Sequence, residues 1–500
     1  MRTPRRRRLL VGLLLSPLLT GCFASGGDDS DSSSDAGSGS RLRVALAFPP
    51  TENLSPYGAD ATILSRLGVT EGLTALDANG SAAPALAESW TRKDDRTWLF
   101  TLREAAFQDG TDVTAATVAA ALTRATQAEP EPAALTGVTL TAKAAGDGRI
   151  SVTTAEPDPV LPLRLSSPGL AVLAPKAFAK KGAVDPVGTA TGPFELTKTT
   201  GSTAATLDRF DDYWGGRAQA AGIDARFIAD GTARANALRT GQVDIAESIP
   251  VAQAASLDKA TRRETATART AFLHLNTKTG VFKDAKLRAA ARAAVDTSAI
   301  ADGVYEGHAD AGQGIYGPAL SWAEGKRVQP TGRAKAAAPK GASITLATYD
   351  NRPELPEAAQ VLKQQLEKAG FKVKLEVREY SRIESDALAG KFDALVAARN
   401  TMLDSGDPVS VLASDYTCDG GYNLSLLCDK KVDQAVAKAE GIADTAERQD
   451  AAMTAEALIL GDDAVVPLAH QRIITGVDAD VRGVLLDPYE RTLVGTGTRR

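Results

Sequence analysis

The strongest constraint on the fold lies in residues 343–397, where extended and helical patterns alternate within one short stretch. Ile344–Tyr349 reads ITLATY, a run of apolar and β-branched residues suited to a strand. Across Pro353–Ala369, Leu355, Ala358, Ala359, Leu362, Leu366 and Ala369 recur at helical spacing on one face, and Gly370 is placed to stop the helix. Val373, Leu375 and Val377 then alternate as in a strand. A second helix is expected near Ile383–Leu388 and a further strand at Phe392–Ala397. Strand–helix–strand order predicts an α/β fold with a parallel sheet and right-handed crossovers. Ligands of such sheets sit outside the carboxyl ends of the strands. The segments after Tyr349 and after Ala397 are therefore where a site is expected.

The rest of the chain gives sparser signals. Leu42–Ala47 reads as a strand. Thr97–Arg103 places Trp98, Phe100 and Leu102 on one face of another. Thr114 is placed to cap a helix through Val118 and Leu122, and Leu207–Phe210 precedes the turn-rich Asp211–Gly216. Five hundred residues exceed what one core can organise, and a prior of about 150 per domain suggests roughly three units. There is no convincing internal repeat.

The amino terminus reads as an address. Arg2 and Arg5–Arg8 precede the apolar run Leu9–Leu19, far shorter than the ~20 residues needed to span a bilayer. This is the layout of a secretory signal over residues 1–21. Leu19-Thr20-Gly21-Cys22 resembles a bacterial lipobox, so Cys22 is the expected lipidation site. The arginine run also loosely resembles a twin-arginine signal, leaving the export route open. Ala24–Ser40, ASGGDDSDSSSDAGSGS, has no apolar face to bury, and residues 22–40 are expected to form a flexible tether. The expected location is outside the cytoplasm, lipid-anchored to the outer face of the bacterial cytoplasmic membrane.

Charge removes some partners. Loss of the signal takes five of 57 basic groups and leaves 52 against 62 acidic, a net charge of −10. Nucleic-acid binders carry the opposite excess. Three Cys and three His give little material for a multi-ligand metal site, and no cofactor is expected. Gly312–Gly317 fits GxGxxG, but Pro318 follows at once and no clear strand precedes it, so it reads as a chance match. No GxxxxGK[ST], GxSxG or HExxH pattern occurs. His274 and His470 read as structural.

Four blocks then carry a resemblance. They are PALAESW (84–90) with WLFTLR (98–103) and FQDGT (107–111); TGPF (191–194) with DYWGG (212–216); ALRTGQVDI (237–245); and FLHLN (272–276) with Arg288–Asp296 downstream. In this order and spacing the chain resembles the extracytoplasmic solute-binding proteins of family 5, which serve peptide, dipeptide and nickel ABC importers. The resemblance implies a two-lobed periplasmic-binding-protein-like clamshell (class II, cluster C type) with an extra subdomain in lobe I. Residues 41–271 plus 470–500 would form lobe I, with the subdomain at about 55–186, and 272–469 would form lobe II. The chain would cross near Thr270–Asn276 and near Pro467–Ile473. The implied activity is capture of a small peptide and its delivery to permease subunits by a non-enzymatic, monomeric receptor. The alternative is a nickel or other metal chelate; a secreted hydrolase is a third, distant reading.

The resemblance also points to residues. Dipeptide-binding relatives have an Arg before Pro that holds the ligand carboxylate; here that is Arg352, whose planar fork suits two oxygens. In metallophore-type relatives the same Arg would grip a chelator. An Asp shortly before Asp-Pro pairs with the ligand ammonium in peptide-binding relatives, which here selects Asp404. Those relatives often carry Trp three residues earlier, where this chain has Thr401. Arg399 and Asn400 either line the cleft or cap the turn. Tyr349, Tyr380 and Trp322 are wall candidates, with core packing the simpler reading. Some relatives pair cysteines where this chain has Cys418 and Cys428; a bridge there would contribute roughly 3 kcal/mol.

Overall fold

The computed structural model describes residues 39–180 and 183–500. The signal segment, Cys22 and nearly all of the tether lie outside the described residues.

The 343–397 region folds as its periodicity dictates. Strand Ser343–Tyr349 is followed by helix Glu354–Lys368, which buries Leu355, Ala358, Ala359, Leu362 and Leu366. Those side chains join a core shared with Ile344, Leu346, Phe371 and Val396. Strand Lys372–Arg378 lies parallel to Ser343–Tyr349, and so does Ala394–Asn400 on its other side. Lys372–Arg378 is the sheet edge, so its alternation fades outward: Val373 is buried, but Val377 is 43 % exposed. Helix Tyr380–Leu388 starts three residues before its expected position.

Ala394–Asn400 also runs three residues past the expected end at Ala397. The cause is its antiparallel partner, since Arg269 pairs with Asn400 and Thr270 with Arg399. That partner is one of two long strands, Arg262–Leu275 and Val465–Val477, which run antiparallel through the middle of one eleven-stranded sheet. Their ladder is broken between Ala266–Arg472 and Thr270–His470. On the near side of the break lie Ile245–Ala246, Arg41–Leu46, Gly222–Phe227, Ala204–Arg209 and Phe194–Thr200; on the far side lie Ala394–Asn400 and the two strands already described.

A separate four-stranded antiparallel sheet holds Ala87–Arg92, Thr97–Leu102, Arg149–Thr154 and Leu140–Ala144. Helix Ala115–Ala125 starts at the capping box of Thr114 and Thr117 and shares a hydrophobic core with that sheet. Phe100 is fully buried there, whereas Trp98 and Leu102 are half-buried.

The Gly312–Gly317 loop is an internal clamp. The amides of Ile315 and Tyr316 donate to Glu456, and that of Gln313 donates to His470 Nε2. Burial pushes His470 down to about 4, and Thr270 Oγ1 meets its other ring nitrogen at 2.8 Å.

Candidate functional site

Ser343–Tyr349 and Ala394–Asn400 lie side by side and parallel, yet the chain leaves them toward opposite sides. The first leads through its helix to the edge strand; the second leads away, to helix Pro408–Tyr416. Such a reversal opens a crevice at the carboxyl ends. Asp350–Pro353 and Thr401–Asp407 follow the carboxyl ends of these two strands.

After the first strand stands Arg352. Its guanidinium lies over the ring of Phe48, 5.4 Å from the centroid, and Phe48 closely follows strand Arg41–Leu46. Among the described residues no carboxylate hydrogen-bonds Arg352. Burial, and then repulsion from Arg269, pull its pKa below the ordinary arginine value. A desolvated cation without a bonded anion is costly, and a ligand carboxylate would offset that cost.

After the second strand Asp404 Oδ2 accepts from Arg399 Nη2 at 2.7 Å, and its side chain is 29 % exposed. Arg399 also holds Asp415 at 2.9 Å and lies 5.0 Å above the ring of Tyr422. Burial opposes its charge, but the two carboxylates outweigh burial and raise its pKa. Arg399 is thus already paired twice and braces Asp404. Asp407 is a different case: it is buried, caps helix Pro408–Tyr416 and pairs with Arg448 at 2.6 Å.

Asn400 faces inward. It is 2 % exposed, and its amide is committed inward: Nδ2 donates to Tyr489 O and to Glu490 Oε1, while Oδ1 accepts from Met402 N–H. The extended strand carries it into the ladder, and its Oδ1 caps the turn at Met402, the second of the two roles expected for it. Thr401, in the place of the relatives' Trp, donates to Ala268 O.

Beside Asp404 opens a cleft of about 240 Å³, a little under the ~300 Å³ at which most ligand pockets begin. Thr401, Asp404, Ser414 and Gly421 line it from one side, and Thr136 and Arg164 from the other. Arg352 does not reach that wall. Arg352 and Asp404 therefore stand after neighbouring strand ends without touching.

Several residues here escaped the sequence reading. Glu490 receives Arg269 through both oxygens, at 2.8 and 3.0 Å, and Arg66 lies 3.6 Å away. Burial alone would raise its carboxyl; Arg269, Arg352 and Arg66 outweigh that and hold it at about 2. With Glu490 so engaged, Arg352 has no share in it by hydrogen bond. Arg491, pulled by burial to about 10, donates to Met402 O and Leu403 O and to Ser166. It ties the Asp404 segment to the chain's last strand connection. Tyr349 stacks edge-on against Tyr380 at 5.0 Å, and Tyr380 and Tyr422 share a hydroxyl contact of 2.8 Å. Trp322 packs on Tyr316 in a core cluster. Cys418 and Cys428 are joined in a disulfide that closes the loop bearing Tyr422. Charged residues at 490 and 491 have no local pattern to betray them; only the fold brings them to the crevice.

Comparison with known proteins places the family and the fold. A family model described as bacterial extracellular solute-binding proteins, family 5, matches residues 81–423. A glutathione-binding protein GsiB of Shigella dysenteriae serotype 1 is 27 % identical over 465 residues, covering 87 % of this chain and 90 % of its own. Among solved structures, NikA from Staphylococcus aureus in complex with Ni(L-His)2 has a TM-score of 0.79 at 22 % identity, covering 92 % of this chain and all of its own. DppA from Helicobacter pylori, in complex with the peptide STSA, has a TM-score of 0.76 at 19 % identity, covering 91 % and 97 %. The fold is the two-lobed α/β clamshell of these binding proteins.

Proposed function

As the chain belongs to the bacterial extracellular solute-binding proteins of family 5, whose members are the substrate-binding proteins of ABC importers, we propose that it captures a small zwitterionic, peptide-like ligand between its lobes. The observation that carries this is Arg352, a half-buried guanidinium with no bonded carboxylate at a strand's carboxyl end, across the crevice from the exposed face of Asp404. A carboxylate would dock on Arg352 by a paired fork. An ammonium would dock on Asp404, and Arg399 would keep Asp415 as its partner. The ligand leaves unchanged, handed to permease subunits. Residues 41–271 with 470–500 and residues 272–469 serve as the two lobes, and the ladder break at Ala266–Thr270 against His470–Arg472 is where we place their hinge. Contacts across the crevice form fully only when the lobes close, so the ligand favours the closed form. Cys22 anchors the mature receptor to the outer face of the membrane.

A second reading is a metal chelate, as printed for the NikA complex. Among the described residues no group of three His, Cys, Asp or Glu could hold a metal ion. The metal would arrive wrapped in a chelator whose carboxylate takes Arg352. Calorimetric titration with dipeptides, tripeptides, glutathione and nickel–histidine separates the readings. Saturable binding of a peptide, lost roughly 10- to 100-fold in Arg352→Ala, is expected from the loss of one charged hydrogen-bonded pair. Binding of the chelate with no response to any peptide moves the assignment to the second reading. Hydrolysis of the bound peptide would overturn both.

A further inference from the structure

The two anchors stand on separate segments, and among the described residues no hydrogen bond joins 350–353 to 401–405 directly. A belt of contacts connects them instead. Asn351 Oδ1 accepts from the Tyr380 amide at 2.8 Å. The hydroxyls of Tyr380 and Tyr422 meet at 2.8 Å. The ring of Tyr422 lies under the Arg399 guanidinium, and Arg399 grips Asp404.

Each link is held from outside the belt. Tyr349 packs edge-on against Tyr380, and its own hydroxyl accepts from the Ala398 amide on the neighbouring strand. Tyr422 sits in the loop closed by Cys418–Cys428, where Asn423 donates to Thr417 O and Leu427 O. Gly420 and Gly421 of that loop line the cleft beside Asp404. Tyr380 nevertheless keeps 37 % exposure, so the belt reaches the surface as well as taking part in the packing.

Resting on the zwitterion reading above, we propose that the Tyr380–Tyr422 pair is a specificity-determining gauge. It fixes the separation between the carboxylate anchor at Arg352 and the ammonium anchor at Asp404, and so fixes the backbone length of the ligand accepted. Because the hydroxyl contact is the link that joins helix Tyr380–Leu388, on the Arg352 side, to the disulfide-closed loop, on the Asp404 side, it is where the spacing is set. Residue types at Thr401 or at the cleft wall would tune side-chain preference; the gauge tunes length.

The test is calorimetric titration of alanine, dialanine, trialanine and tetraalanine against the full mature chain, the Tyr380→Phe and Tyr422→Phe variants, and a Cys418→Ser/Cys428→Ser double variant. Each Phe variant keeps the ring and removes one hydroxyl. The wild type is expected to favour one length. In the variants the preference for that length over the next is expected to fall roughly five- to tenfold, the equivalent of one hydrogen bond. The double cysteine variant should loosen the same ratio by another route. A purely structural role would lower melting temperature and weaken every length by one factor, leaving the ratio intact; that result overturns the gauge. If the wild type binds none of the four, the zwitterion reading fails first and takes the gauge with it, which is a distinguishable outcome.

Discussion

Arg352 and Arg269 show how one residue type can stand in two different electrostatic settings close together. Arg269 is buried against both oxygens of Glu490, so Arg269→Ala would leave a buried carboxylate partly unpaired and cost about 3–5 kcal/mol. Arg352 has no such partner. Its removal should leave the thermal midpoint of the empty protein unchanged or higher while weakening ligand binding roughly 10- to 100-fold, and thermal melts with and without ligand read both effects. Acid stability follows from two other buried groups. Burial lowers His274 to about 3, and neither ring nitrogen has a partner. The unfolded chain then binds the extra proton first, so this contribution is complete above about 6.5 and fades as the pH falls toward 3. Glu490, held at about 2, contributes above its ordinary value of 4.5 and loses that contribution between 4.5 and 2, on the order of 3 kcal/mol. Urea titrations across pH should show His274→Leu flattening the upper part of this limb and Glu490→Gln flattening the lower part from a lowered baseline.

Among the elements, the recognisable sequence blocks prove to be packing devices. Gln108, from FQDGT, donates to Gly192 O and Phe194 O of TGPF and accepts from Ala190 N–H. Arg103, ending WLFTLR, lies 3.6 Å over the ring of Trp214 in DYWGG, whose indole and the neighbouring Tyr213 hydroxyl both donate to Glu71. A Cβ on Gly192 would come within 2.4 Å of Gly68 O and 2.6 Å of Val69 O. Gly192→Ala should therefore lower stability by about 1–3 kcal/mol through overcrowding without changing ligand affinity, as chemical denaturation and titration in parallel would register. This explains what could be read in advance. Helical spacing exposed the Glu354–Lys368 face because packing repeats with the helix turn. The end of Ala394–Asn400 was misjudged because a distant strand, Arg262–Leu275, extends it, and no local pattern reports a partner more than a hundred residues away. The burial of Asn400 has the same cause, since it pairs with Arg269 in that ladder.

For the whole molecule, the chain order of the sheet matters most. Two long strands, Arg262–Leu275 and Val465–Val477, carry every through-sheet connection between the strands on either side of the ladder break. Glu490 and Arg491, after the second of them, fold back onto Asn400, Met402 and Leu403. Strand types and helix faces could be read from local periodicity. The placing of Phe48, Arg269, Arg352, Asp404 and Glu490 near one another could not, because it depends on five separate chain segments meeting in the fold. Reversible closure about the ladder break is the claim on which the functional reading depends. Small-angle X-ray scattering of the mature chain, empty and saturated with the peptide that titrates best, tests it most directly. A smaller radius of gyration on saturation, absent in Arg352→Ala at the same peptide concentration, is the expected result; superimposable profiles for the empty and the saturated wild type would contradict it.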